Sequence, residues 1–124
     1  MNQILYIAAG GAAGAVLRYL VSTGVHQWLG RGFPYGTLVV NVSGSLVMGL
    51  LYILLIERTD AGLAWRAGLI IGLLGAFTTF STFSIETLNL IESGEQMKAA
   101  FNILFSVSLC LLGCWAGIVL GRLL

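Results

Sequence analysis

Residues 35–56 read YGTLVVNVSGSLVMGLLYILLI, 22 consecutive residues without an Asp, Glu, Lys or Arg. About 20 mainly apolar residues wound as an α-helix are enough to cross the hydrocarbon core of a bilayer. Two further charge-free runs lie downstream, 19 residues at 67–85 and 23 at 99–121. Upstream, residues 4–29 are similarly apolar and are interrupted by Arg18. The connections are short: Gly30-Arg31-Gly32-Phe33-Pro34, then Glu57 to about Ala64, then about Glu92 to Met97. The expected fold is therefore an all-α membrane protein with four transmembrane helices at about 4–29, 35–57, 66–91 and 97–122. Such a chain forms one domain with both termini on the same side of the membrane.

Composition points the same way. Of 124 residues, 58% are hydrophobic and 9% charged, against roughly 25% charged in soluble domains. A chain this small has a large surface for its volume, and so few polar groups cannot cover it in water. The 17 glycines follow no G-X-Y period, which excludes collagen, and the apolar content excludes disorder. A net charge of +1 without a basic run argues against nucleic acid as a partner. Cys110 and Cys114 lie four apart on one helical face, far in sequence from His26, the single histidine. That is too few ligands for zinc, so both read as small packing residues. Met-Asn-Gln supplies no basic segment for a signal peptide, so the N-terminus is expected to be retained. No nucleophile–His–carboxylate set and no phosphate loop is present, and the protein is expected not to be an enzyme.

The flanking charges are balanced. Arg58, Arg66 and Arg122 fall on the side of the termini, Arg31 and Lys98 on the other, and Arg18 lies too deep to assign. Three against two leaves two outcomes open, a single orientation or insertion both ways with an antiparallel dimer. Gly10 and Gly14, Gly68 and Gly72, and Gly113, Gly117 and Gly121 are spaced four apart, the spacing that lets helices approach closely in lipid. Tight helices in 13.2 kDa leave no room for a wide pore, which suggests a narrow pathway shared between copies.

Polar groups inside a span are costly and ask for a partner or a pathway. Arg18, Asn41 and Glu86 stand out, with Thr37, Ser43 and Ser45 near Asn41. The densest cluster is Thr78-Thr79-Phe80-Ser81-Thr82-Phe83-Ser84. Single hydroxyls in helices bond back to a carbonyl four residues earlier. Five in seven residues, behind the glycine-rich stretch 72–78, instead suggest a third helix broken near its middle and restarting near Thr79. Phe80 and Phe83 would then share one face. Broken helices at membrane depth survive where the freed backbone lines a cavity or holds an ion. Carbonyls at about Gly75 and Thr78 would suit a hard cation such as Na+.

Three segments, GGAAGAVLRY (10–19), GTLVVNVSGS (36–45) and GAFTTFSTFS (75–84), resemble the signature segments of the Fluc/CrcB fluoride channels. The resemblance covers essentially the whole chain, and the third segment is its most specific part. It implies an antiparallel, dual-topology homodimer in the bacterial inner membrane that exports fluoride passively and so reduces fluoride toxicity. It implies Asn41 as a pore-lining amide donor and Phe80 and Phe83 as the paired rings beside the anion path. Thr37, Ser81, Thr82 and Glu86 resemble the polar lining, and Arg18 the first-helix arginine, whose role is structural or in setting the vestibule potential. Gly75 and Thr78 resemble the carbonyl donors to a central, structural, non-transported Na+, two from each subunit. On the fourth helix, Asn102, Ser106 and Cys110 stand where many relatives carry a pore-facing tyrosine and serines. Two other classes compete. A small dual-topology multidrug exporter needs a carboxylate in its first span, and residues 4–29 hold no Asp or Glu. A non-transporting membrane assembly subunit would use its polar residues only between helices.

Overall fold

The computed structural model describes residues 2–59 and 62–124. Helix α1 (Asn2–Leu29) ends at Gly30, whose φ of +84° is the left-handed closure that glycine adopts without strain. Pro34 precedes α2 (Tyr35–Tyr52), where a missing N–H leaves nothing unsatisfied. The α2 helix runs on into a π-helical turn, Ile53–Glu57. The third span opens with α3 (Leu63–Arg66), passes through a π-helical stretch, Ala67–Leu74, and closes its first half with α4 (Gly75–Phe77). Its second half is α5 (Phe80–Glu92), and a turn at Gly94 (φ +82°) leads into α6 (Gln96–Leu123). Between α4 and α5, Thr78 (φ −85°, ψ 157°) and Thr79 (φ −151°, ψ 119°) have extended backbones. Residues 60–61 of the second connection lie outside the described residues.

Four helical segments are long and apolar enough to cross a membrane: Asn2–Leu29, Tyr35–Glu57, Leu63–Glu92 and Gln96–Leu123. A helix of 28 residues is about 42 Å long at about 1.5 Å per residue, which covers the hydrocarbon core and both headgroup layers. The apolar surface faces outward. Trp28 is 84% exposed and Leu111 67%, while the buried apolar side chains are Val40, Ile53, Ala67, Leu74 and Ala99 among the described residues.

Lipid tails are as apolar as leucine, so these helices are held by close packing rather than by escape from water. Glycine makes the approach possible. A Cβ on Gly10 would run into the Gly68 carbonyl, and one on Gly14 into the carbonyl of Leu73. The α1 helix thus lies directly on the backbone of the Ala67–Leu74 stretch. In the same way a Cβ on Gly49 would meet the Cys114 carbonyl, and one on Gly117 the Leu46 carbonyl, which places α2 against α6. Gly44 makes room for the Thr78 methyl group and so sets α2 beside the extended pair. At one end Arg58 Nη1 donates to the Gly121 carbonyl (3.1 Å) and Arg122 pairs with Glu57 (3.6 Å). At the other end Lys98 Nζ donates to the Gly32 carbonyl (3.1 Å).

Candidate functional site

The site begins with one side chain. Asn41 Oδ1 accepts the Thr79 N–H (2.8 Å), and Asn41 Nδ2 donates to the Thr79 carbonyl (3.0 Å). The amide therefore grips both polar groups of a single extended peptide residue, as a neighbouring β-strand would. Because one Thr79 group only donates and the other only accepts, the orientation of the Asn41 amide is fixed. The Thr79 hydroxyl meanwhile caps α5, accepting the Thr82 N–H (3.2 Å) and donating to Thr82 Oγ1 (3.1 Å).

These contacts divert two helical donors. In a continuous helix the Thr79 N–H would bond to the Gly75 carbonyl and the Thr82 N–H to the Thr78 carbonyl. Here the first goes to Asn41 and the second to the Thr79 hydroxyl. The carbonyls of Gly75 and Thr78 are thus among those that lose their helical donors at the break. As hard oxygen donors at membrane depth they suit a small hard cation, and two oxygens alone are an incomplete shell. Asn41→Leu keeps the bulk but leaves both Thr79 peptide groups without partners. It is expected to lower unfolding free energy by about 1–3 kcal/mol for each buried group lost, read from SDS titration of the detergent-solubilised protein. Wild-type stability in that variant would show that the Thr79 peptide finds other partners.

A cavity of about 370 Å³ opens beside this clamp, lined by Asn41, Gly44, Ser45 and Met48 from α2, by Thr78, Thr79, Phe80 and Phe83, and by Ser106, Cys110 and Cys114 from α6. The Phe80 and Phe83 ring centroids lie 5.3 Å apart with the planes tilted by 47°. Phe80 is 76% exposed. One Asn41 amide hydrogen is left over after the Thr79 bond, and ring edges carry partial positive charge. Neither Lys nor Arg lines this cavity. It can solvate an anion without holding it by a full charge.

The remaining residues singled out from the sequence are distributed elsewhere. Thr37 and Thr82 share a smaller cavity, about 210 Å³, with Arg18, Ser22 and the other side of Thr79. Glu86 lies in a third cavity, about 350 Å³, near His26, Arg31 and Glu95. Its Oε1 is buried and has no hydrogen-bond partner among the described residues. Ser81 is exposed, its hydroxyl 3.4 Å from that of Thr79, and Gly75 is exposed as well. The first two of these cavities share Thr79, and the third lies further along α5 with no lining residue in common with either, so the residues do not form one continuous lining.

Sequence reasoning passed over Gly44, Met48 and Thr87 and did not single out Thr79 for the site. Gly44 had a signal, since it stands three residues after Asn41 on the same helical face. Cys110, which the resemblance sets at a pore-facing position, lines the first cavity, and so does Cys114, which was expected to pack.

Residues 5–118 match the family described as CrcB-like protein, Camphor Resistance (CrcB). Among individual proteins, the "Fluoride-specific ion channel FluC" of Methylococcus capsulatus is 55% identical over 98% of this chain, which spans 54% of that protein's length. The protein of the same name from Magnetococcus marinus is 53% identical over 98% of this chain and 99% of its own. The one from Coxiella burnetii is 51% identical, covering 97% of this chain and 98% of its own.

Proposed function

Because this chain belongs to the CrcB-like family, we propose that it is a fluoride-selective channel of the bacterial inner membrane. It exports fluoride passively, as an antiparallel, dual-topology homodimer, and so reduces fluoride toxicity. The observation that carries the reading is the Asn41–Thr79 clamp, because it holds the residue immediately before Phe80 and faces the same cavity as both rings. The names of the similar proteins support the choice of ion.

Fluoride is small and strongly hydrated, so a selective path must replace water with close donors. The Asn41 amide, the Thr and Ser hydroxyls and the Phe80 and Phe83 ring edges are such donors. A path without a ring of full charges also lets the anion leave. The third span works as a broken helix whose two halves are tied to α2 through Asn41. The Gly75 and Thr78 carbonyls of two copies would together hold one structural Na+, which adds positive potential near the path and joins the subunits. Thr37, Ser81, Thr82 and Glu86 extend the polar lining on either side of the clamp, and Arg18 sets the potential of the cavity it shares with Thr37 and Thr82.

The direct test is fluoride efflux from liposomes containing the purified protein. Fluoride release well above protein-free liposomes, with chloride retained, is the expected result, and none would leave a non-transporting assembly subunit. The Na+ reading has its own measurement. At fixed ionic strength, flux or dimer stability is expected to fall when K+ or N-methylglucamine replaces Na+, and Thr78→Ser, which keeps the carbonyl, is expected to behave as wild type. Equal behaviour in all three cations would remove the ion from the scheme.

A further inference from the structure

Three hydrogen bonds run in one direction from α6 into α5. Ser106 Oγ donates to Asn102 Oδ1 (3.3 Å), Asn102 Nδ2 donates to Thr87 Oγ1 (2.9 Å), and Thr87 Oγ1 donates to the Phe83 carbonyl (2.7 Å). All three side chains are buried, Asn102 with 2% of its surface exposed, Thr87 with 6% and Ser106 with 7%. Each hydroxyl has one proton, so the sense of the chain is set. Thr87 accepts from Asn102 with its lone pair because its own proton is committed to Phe83. Bonds linked in this head-to-tail way strengthen one another in a low-dielectric interior.

A threonine that bonds back to the carbonyl four residues earlier is ordinary in a helix. A threonine held there by an amide from another helix is less so, and the carbonyl it holds belongs to a residue that lines the cavity beside Asn41. The first turn of α5 has its own anchor in the Thr79 cap. The chain from α6 anchors the next turn, at Phe83. Neither Thr87 nor Asn102 lines the cavity beside Asn41, so neither is placed to touch an anion there. Resting on the fluoride-channel reading, we infer that Thr87 and Asn102 are positioning residues that fix the helical turn carrying Phe83 and hence where its ring edge points.

The test uses the full-length dimer in liposomes. Thr87→Val and Asn102→Leu are expected to lower fluoride efflux about tenfold, while Thr87→Ser, which keeps the hydroxyl, is expected to stay within about twofold of wild type. If these residues act through the ring, Thr87→Val should cost less than about twofold when Phe83 is already Ile. A general packing defect would cost the same in both backgrounds and would overturn the inference. A second readout needs no transport: the ¹⁹F resonance of 4-fluorophenylalanine placed at position 83. It is expected to move in Thr87→Val and Asn102→Leu and to stay in place in Thr87→Ser. An unchanged resonance in both disruptive variants sinks the positioning role even if fluoride is conducted. A shifted resonance in a protein that passes no fluoride would sink the channel reading instead and leave the positioning intact. Should Thr87→Val fail to assemble, Asn102→Leu carries the test, because it leaves the Thr87–Phe83 bond in place and removes the Asn102 donor that supports it, with Ser106→Ala as the control for the Ser106 bond lost at the same time.

Discussion

Two or three lysines placed between Gly30 and Pro34 are expected to reduce fluoride flux to background when that variant is expressed alone. The connection already carries Arg31, and Lys98 lies beside it, bonded to the Gly32 carbonyl. Opposite them stand Arg58, bonded to the Gly121 carbonyl, and Arg122, paired with Glu57. With so small a difference between the ends, a few added cations decide which end stays on the cytoplasmic side. Every copy then inserts the same way, and an antiparallel partner no longer exists. Flux is expected to return on co-expression with a copy carrying the extra lysines between residues 58 and 62, at the other end. The measurement is fluoride efflux from cells, with membrane content of both variants matched by immunoblot. Normal flux from the first variant alone would rule out antiparallel assembly.

Phe80→Ile and Phe83→Ile are each expected to lower fluoride flux at least about tenfold, about 1.4 kcal/mol in barrier, without loss of the dimer. Paired aromatics three residues apart are common packing elements in membrane helices. Their surroundings argue otherwise here. Both rings line a cavity with Asn41, Ser45, Thr78, Thr79 and Ser106, and Phe80 is largely uncovered by its own chain. Isoleucine keeps bulk and apolarity but removes the quadrupole whose positive edge an anion would meet. Phe80→Met is expected to be milder, since a polarizable thioether adapts to irregular contacts. Efflux from liposomes at equal protein density decides the matter. Wild-type rates through both isoleucine variants would return the rings to a packing role.

The four helical spans and the residues worth attention were legible in the sequence because they rest on sums over neighbouring residues. A run such as 35–56 prefers lipid whatever it packs against, and an Asn or Glu inside a span is costly wherever its partner lies. Glycine spacing likewise announced close contacts, and Gly10, Gly14, Gly72 and Gly117 make them. What could not be read locally is who bonds to whom. Asn41 and Thr79 are 38 positions apart, and their pairing sends the Thr79 N–H away from Gly75. Asn102 reaches Thr87 across the α5–α6 turn, a link between helices that its place on the fourth helix does not announce. The π-helical stretches Ile53–Glu57 and Ala67–Leu74 carried no cue either, because an apolar run has the same composition whichever helical bond it closes. Solvent preference belongs to each residue and adds along the chain, so the sequence by itself determined the spans. Hydrogen bonds need two directed groups within about 3 Å, so only the tertiary structure decided which carbonyls are freed, which cavity each polar side chain enters and what fixes the turn that carries Phe83.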